Sequence, residues 1–446
     1  MGKADGEVCH RKVMINIYAP IISDRLRFSC DFIFNTVLNL PYTLFSNLDQ
    51  INRQTIFINY SSENNSGLKF LPSGLLEEKG VKNFKPELIN YQNLSLIFFN
   101  GKYDFPFDIF SMVFYFISRY EEYQSYTSDE HGRFPAKESF SFINGILNQP
   151  VVDKAIWYFG AWLMEKNLTT LTTKPNFTYH STIDVDNAYY AKGKSLGRVI
   201  GASGKAALKT DFKESFRRLS VYLSGKKDPF DQYDFQIRLS KELGIPLTYF
   251  ILFAHTTDYD RSLAPANTAM RQLIHFLNLN ADVGIHPSYF SSENAVKLRT
   301  EILSFGKMVK TLQASRQHFL KFKLPETYLQ LLDSGIEFEY SMGYSTHNGF
   351  RAGTSYSFNF FDLRNEKTTA LKIVPFQLMD SVFYDKFSMS AYESWDEIKN
   401  IADQVYETGG TLVSVWHDRA FDDVIYPGWK DCYEKLHRYC RHDTVS

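Results

Sequence analysis

The chain has 446 residues, of which 44% are hydrophobic, 22% charged and 16% aromatic. An aromatic share of that size excludes wholesale disorder. The 49 basic and 50 acidic residues leave a net charge of −1, which argues against an extended nucleic-acid surface. Four scattered cysteines (Cys9, Cys30, Cys432, Cys440) form no CxxC pair and no disulfide framework, so reduced thiols are expected.

Residues 1–12 read as a disordered lead-in. They lack the apolar run and small-residue cleavage site of a secretory signal, which makes the cytoplasm the expected address. Residues 13–170 read as a smaller α+β domain. Strand-like pieces, Met14–Tyr18, Thr55–Tyr60 and Leu94–Phe99, alternate with Asn/Ser-rich turns. An aromatic helix over Phe107–Tyr123 carries its few polar residues among Phe and Ile, the pattern of a helix packed on most faces. Its apolar stretch Ile109–Ile117 is too short to span a bilayer, and no transmembrane segment is expected. The polar, turn-rich stretch Tyr120–Phe134 contains His131, which reads as a surface or inter-domain histidine. A helix over Val152–Lys166 leads into a Thr-rich boundary at Thr169–Lys174.

Over 175–446 the pattern becomes regular. Strand candidates are Phe177–Ile183, Pro246–Leu252, Asp282–Ile285, Leu312–Ser315, Glu337–Ser341, Leu371–Val374 and Thr411–Val415. Helical segments fall between most of them: Gln232–Leu243 stopped by Gly244, Pro265–Leu279, Glu293–Leu312, Pro325–Ser334 and Trp395–Glu407. Seven short strands separated by helices predict an α/β fold with a parallel sheet. An open doubly wound sheet and a closed or distorted barrel both fit.

Polar residues recur just after these strands: Asp184 and Asp186, His286, Arg316 and His318, Tyr344 and His347, Asp380, then His417 and Asp418. The C-terminal ends of parallel strands share one rim, so residues far apart in the chain can converge there. Each has a bland reading. Asp-x-Asp can be two turn formers, and a lone His286 or His417 can be a packed histidine. Taken together, the set favours a metal. Asp184 and Asp186 share a parity and face the same way on an extended segment, and a cation held by one of them relieves their repulsion. Imidazole and carboxylate ligands suit zinc first among divalent metals. No P-loop, dinucleotide fingerprint or Gly-x-Ser-x-Gly elbow occurs.

The motifs TIDVD, GIHPS, SRQHF and SVWHD, in this order, resemble those of the polysaccharide deacetylases of the NodB-homology group, carbohydrate esterase family 4. The resemblance covers about 177–420. The segments DIFSMVFYFISRYEEY and DEHGRFP look like the extra N-terminal domain found with such a domain in some Bacteroidetes proteins. It implies a distorted seven-stranded (β/α) barrel and a metal-dependent deacetylase of sugars. Asp184 would be the base, Asp186 and His286 metal ligands, Arg316 the partner of Asp184 and His417 the acid. Phe290 stands where the family carries a second histidine. His318, which replaces the family's proline, is the candidate to supply that ligand, with His347 in reserve. The readings that compete are a non-catalytic carbohydrate-binding protein on the same fold and another metal-dependent hydrolase. Aromatic residues near these positions, Tyr289, Phe319, Tyr344 and Trp416, together with Tyr189, Tyr190 and Phe290, are candidates for a sugar-binding wall. A glycan precursor is the expected substrate. The sequence leaves the oligomeric state open.

Overall fold

The computed structural model describes residues 14–50, 56–63, 66–169, 176–208, 212–224 and 227–442. The expected lead-in 1–12 with Cys9, the start of the strand at Thr55 and most of the Thr-rich boundary lie outside the described residues. The chain divides into two compact units. The first comprises Met1–Gln124, Val151–Pro175 and Phe361–Thr368, and the second Ser125–Pro150, Asn176–Phe360 and Thr369–Ser446. The expected cut near 170 therefore becomes an interleaved one, and the segment that carries His131 groups with the second unit.

In the first unit, β1 (Ile15–Tyr18), β2 (Tyr42–Phe45), β3 (Ile58–Tyr60) and β4 (Leu68–Phe70) pair in the order β2-β1-β3-β4, parallel throughout. A separate antiparallel pair joins β5 (Ile89–Tyr91) to β6 (Leu94–Leu96). The aromatic helix runs over Ile109–Ile117, shorter than expected, with all nine residues buried. Asp108 caps it by accepting the Ser111 N–H, and Arg119 follows at φ +56. Helix Val151–Glu165 supplies Phe159 and Trp162, which meet Phe70 and Phe105 edge-on. Here the aromatic surplus is core.

The second sheet has nine strands: β7 (Phe177–Val185), β8 (Leu247–Leu252), β9 (Asp282–His286), β10 (Ala314–Ser315), β11 (Phe338–Glu339), β12 (Phe358–Asp362), β13 (Lys367–Ile373), β14 (Leu378–Met379) and β15 (Gly410–His417). Their order is β12-β13-β11-β10-β9-β8-β7-β15-β14. Seven adjacent pairs, from β13 round to β14, are parallel. The α/β expectation with a parallel sheet agrees with this. The distorted seven-stranded barrel finds no such agreement: the sheet has nine strands, and among the described residues no ladder joins β14 to β12 to close it. β12 and β14 were not expected, because both are short and lack a clear alternation. β8 is buried along its whole length, as a strand covered on both faces must be.

Helix ends obey local chemistry. Gly244 closes Tyr233–Leu243 at φ +66, Asn267 caps Thr268–Asn280, and Ser390 forms a capping box with Glu393 at the start of Ala391–Thr408. Helices Leu196–Leu208, Phe212–Ser224 and Trp429–His442 were not expected from the sequence. Among the described residues, no helix is long and apolar enough to cross a membrane.

Candidate metal centre and active site

Register brings the polar residues to one rim. His417 lies opposite Asp184 in the β15–β7 ladder, and His286 opposite Leu252 at the end of β8. Asp186 follows two residues past Asp184, while Arg316 and His318 follow the end of β10. Asp184, Asp186, His286, His318 and His417 line one cleft of about 180 Å³. That volume is below the range of pockets that enclose a whole drug-sized ligand.

Asp186, His286 and His318 offer ligand atoms within 4.8 Å of one another. His286 Nε2 stands 3.4 Å and His318 Nε2 3.7 Å from Asp186 Oδ1. The far nitrogens are already committed. His286 Nδ1 meets the Arg316 carbonyl, and His318 Nδ1 meets Asp260 Oδ1 at 2.9 Å. A carbonyl or carboxylate can only accept, so each Nδ1 carries a proton and each Nε2 is left to present a lone pair. Asp186 Oδ1 is itself buried and accepts no well-formed hydrogen bond. Three electron-rich atoms facing inward with held outer nitrogens fit a divalent cation. Burial alone would raise the Asp186 carboxyl, but the neighbouring His286, His318 and His417 outweigh it and hold it well below the usual range. Burial likewise opposes protonation of His286, while Asp184 and then Asp186 push it upward. His347, the reserve ligand, is elsewhere. It bonds Thr346 and packs on Phe142 and Phe387.

Asp184 is paired with Arg316, while its Oδ2 stands 3.8 Å from His286 Nε2. Its Oδ1 accepts Arg316 Nη1 at 2.7 Å, and Arg316 Nε donates to the Tyr340 carbonyl at 3.0 Å. The guanidinium lies 4.4 Å from the Phe250 ring and is fully buried. Gly284 in β9 makes room for that ring, because a Cβ there would stand 2.6 Å from it.

His417 has its own carboxylate. Its Nδ1 meets Asp380 Oδ1 at 2.6 Å and its backbone N–H donates to Asp380 Oδ2 at 2.8 Å. Burial disfavours the imidazolium, but Asp380 more than compensates and brings His417 up to about 9. Its Nε2 is 3.9 Å from Asp186 Oδ2. Asp418 turns away to accept the Asn187 N–H at 2.7 Å. Burial, then Asp186, pushes its carboxyl up to about 7.

The expected sugar wall separates. Phe319 lines the cleft. Tyr289 stands behind His131, with its hydroxyl 3.0 Å from His131 Nδ1 and its ring stacked on Tyr259 at 4.0 Å. Tyr344 and Trp416 do not line it. Tyr344 packs with Phe134, Ala136 and Leu147, and Trp416 packs against Tyr433 and Trp429. Tyr189 and Tyr190 are buried against Tyr233 and Phe230, while Phe290 is exposed beside Tyr259. His131, expected at a surface or between domains, lines the cleft together with Arg133 and Arg419. The sequence reading also missed Arg133, Arg419 and Asp260, whose Oδ1 meets His318 Nδ1. Asp260 lies in the loop after β8, a strand end from which no polar residue was picked.

Residues 15–168 match the model of a family of unknown function (DUF7033). Among curated proteins there is no match. Among solved structures, a Mycobacterium smegmatis protein provisionally described as a polysaccharide deacetylase is similar at 14% identity and a TM-score of 0.38, over 62% of this chain and 88% of that one.

Proposed function

We propose that the second unit is a metal-dependent hydrolase that removes N- or O-acetyl groups from a sugar or glycan precursor. The observation that carries this reading is the division of partners around one cleft. Asp184 is paired with Arg316, His417 with Asp380, and the Nε2 atoms of His286 and His318 turn to Asp186. A protein that only binds sugar has no use for a carboxylate and an imidazolium held ready beside a cation site.

A divalent cation held by Asp186, His286 and His318, zinc first, would polarise a water and the acetyl carbonyl. Asp184, oriented by Arg316, takes a proton from the attacking water. The Phe319 N–H, beside the cleft, is the donor we assign to the developing oxyanion. His417 gives its proton to the leaving nitrogen or oxygen, and Asp380 stabilises it in the charged form until then. Acetate and the free amine or alcohol leave. Arg419 and Lys386 also line the cleft, and Arg419 Nη1 stands 3.8 Å from Asp186 Oδ2.

The test is acetate release from a panel of N-acetyl and O-acetyl sugars, including nucleotide-linked ones, alongside metal analysis of the purified protein. Absence of stoichiometric metal would favour a binding protein. Bound metal without acetate release from any member would point to another hydrolytic reaction.

A further inference from the structure

The turn at Asp129–Arg133 lies outside the sheet, yet it reaches the cleft. Asp129 Oδ1 accepts the backbone N–H groups of His131 at 3.0 Å and Arg133 at 2.9 Å, and its Oδ2 accepts Arg133 Nε at 2.8 Å. The turn is thus closed on itself with the guanidinium fixed. Arg133 Nη1 then donates to the Phe319 carbonyl, and the His131 ring meets the Phe319 ring edge-on at 5.1 Å. Phe319 and Leu320 adopt φ +60 and +52 in succession. Neither is glycine, and in the left-handed conformation a Cβ crowds the following carbonyl oxygen. Two in a row persist only where the surroundings over-determine them. His318 immediately precedes this pair.

We propose that the Asp129–Arg133 turn is a positioning clamp: Arg133 holds Phe319 in its left-handed conformation and so sets the aim of the Phe319 N–H into the cleft. Arg133 is a positioning residue, acting through Phe319. The role assigned to that N–H rests on the deacetylase reading, whereas the clamp as a conformational device does not.

The experiment pairs Arg133→Met with Arg133→Lys in the full chain. Hydrogen exchange of the peptide covering 317–322 is measured first. Exchange at least about tenfold faster in Arg133→Met, partly restored in Arg133→Lys, is expected. Acetate release should then show kcat reduced by about tenfold or more with KM within about twofold, because a misaimed oxyanion donor weakens the transition state alone. Metal content should not change. Exchange equal to the wild type overturns the clamp, and so does a rise in KM with kcat intact, which would make Arg133 a substrate contact. Should Arg133→Met not fold, Asp129→Asn replaces it with the same expectations. A wild-type protein that releases no acetate sinks the deacetylase reading, and the exchange measurement still decides the clamp.

Discussion

Two imidazole–carboxylate pairs flank Asp186 and differ in what lies next to them. His318 has Nδ1 on Asp260 and Nε2 3.7 Å from Asp186 Oδ1; His417 has Nδ1 on Asp380 and Nε2 3.9 Å from Asp186 Oδ2. The His318 ring lies 4.9 Å from that of His286. Two imidazolium rings this close would repel each other, and a cation shared between the neutral rings would avoid that repulsion. Among the described residues no second imidazole packs on His417, and Asp380 turns both oxygens to it, so it can carry its proton. A histidine–aspartate pair does not by itself define a role. The third neighbour does.

The sharpest way to break this comparison is to truncate both imidazoles. His417→Ala, like Asp184→Asn, is expected to lower acetate release by about a thousandfold or more, at the upper end of general acid–base effects, with bound metal unchanged by elemental analysis. Loss of metal from His417→Ala would make it a ligand and erase the distinction. His318→Ala should do the reverse and lose the bound metal. Unchanged stoichiometry there would refute the ligand assignment.

Removing the outer carboxylates sharpens it further. Asp260→Asn should weaken metal affinity by about 10- to 100-fold, the usual effect of losing an outer partner of a ligand histidine, as read by competition with a chelator. Asp380→Asn should leave affinity alone and lower kcat by a comparable factor.

The smallest effect concerns the support of the ligand side. Glu339 accepts from the Ser341 N–H and Oγ, and Ser341 Oγ accepts the Gln317 N–H at 2.8 Å, next to His318. Burial pushes Glu339 from 4.5 up to about 7. The folded protein therefore binds this proton more tightly than the unfolded chain. The stability so gained is full below about pH 4.5 and is lost as pH rises through about 7, at most about 3 kcal/mol. Denaturant titrations across that window should show the decline, and Glu339→Gln should flatten it.

The rim was legible because parallel strands impose it. Asp184, Asp186, His286, Arg316, His318 and His417 each lie at or just past the end of a strand whose apolar run is visible in the sequence. Trp416 misled by adjacency: in a strand, neighbours of an inward residue point to the opposite face, so the residue beside His417 had to leave the cleft. Tyr344 misled because the loop after β11 turns it into a cluster with Phe134 and Leu147. His131 was out of reach, because the stretch around it has no periodicity.

By itself, the sequence determined the α/β class, most strand positions and the strand-end residues, since periodicity and chain order are local properties that survive without coordinates. Tertiary structure decided the rest. It opened the sheet to nine strands, moved 125–150 into the second unit, turned the Nε2 atoms of His286 and His318 to Asp186 and gave His417 to Asp380. Those outcomes depend on which carboxylate or carbonyl meets which nitrogen across more than one strand, and no spacing in one dimension encodes that distance.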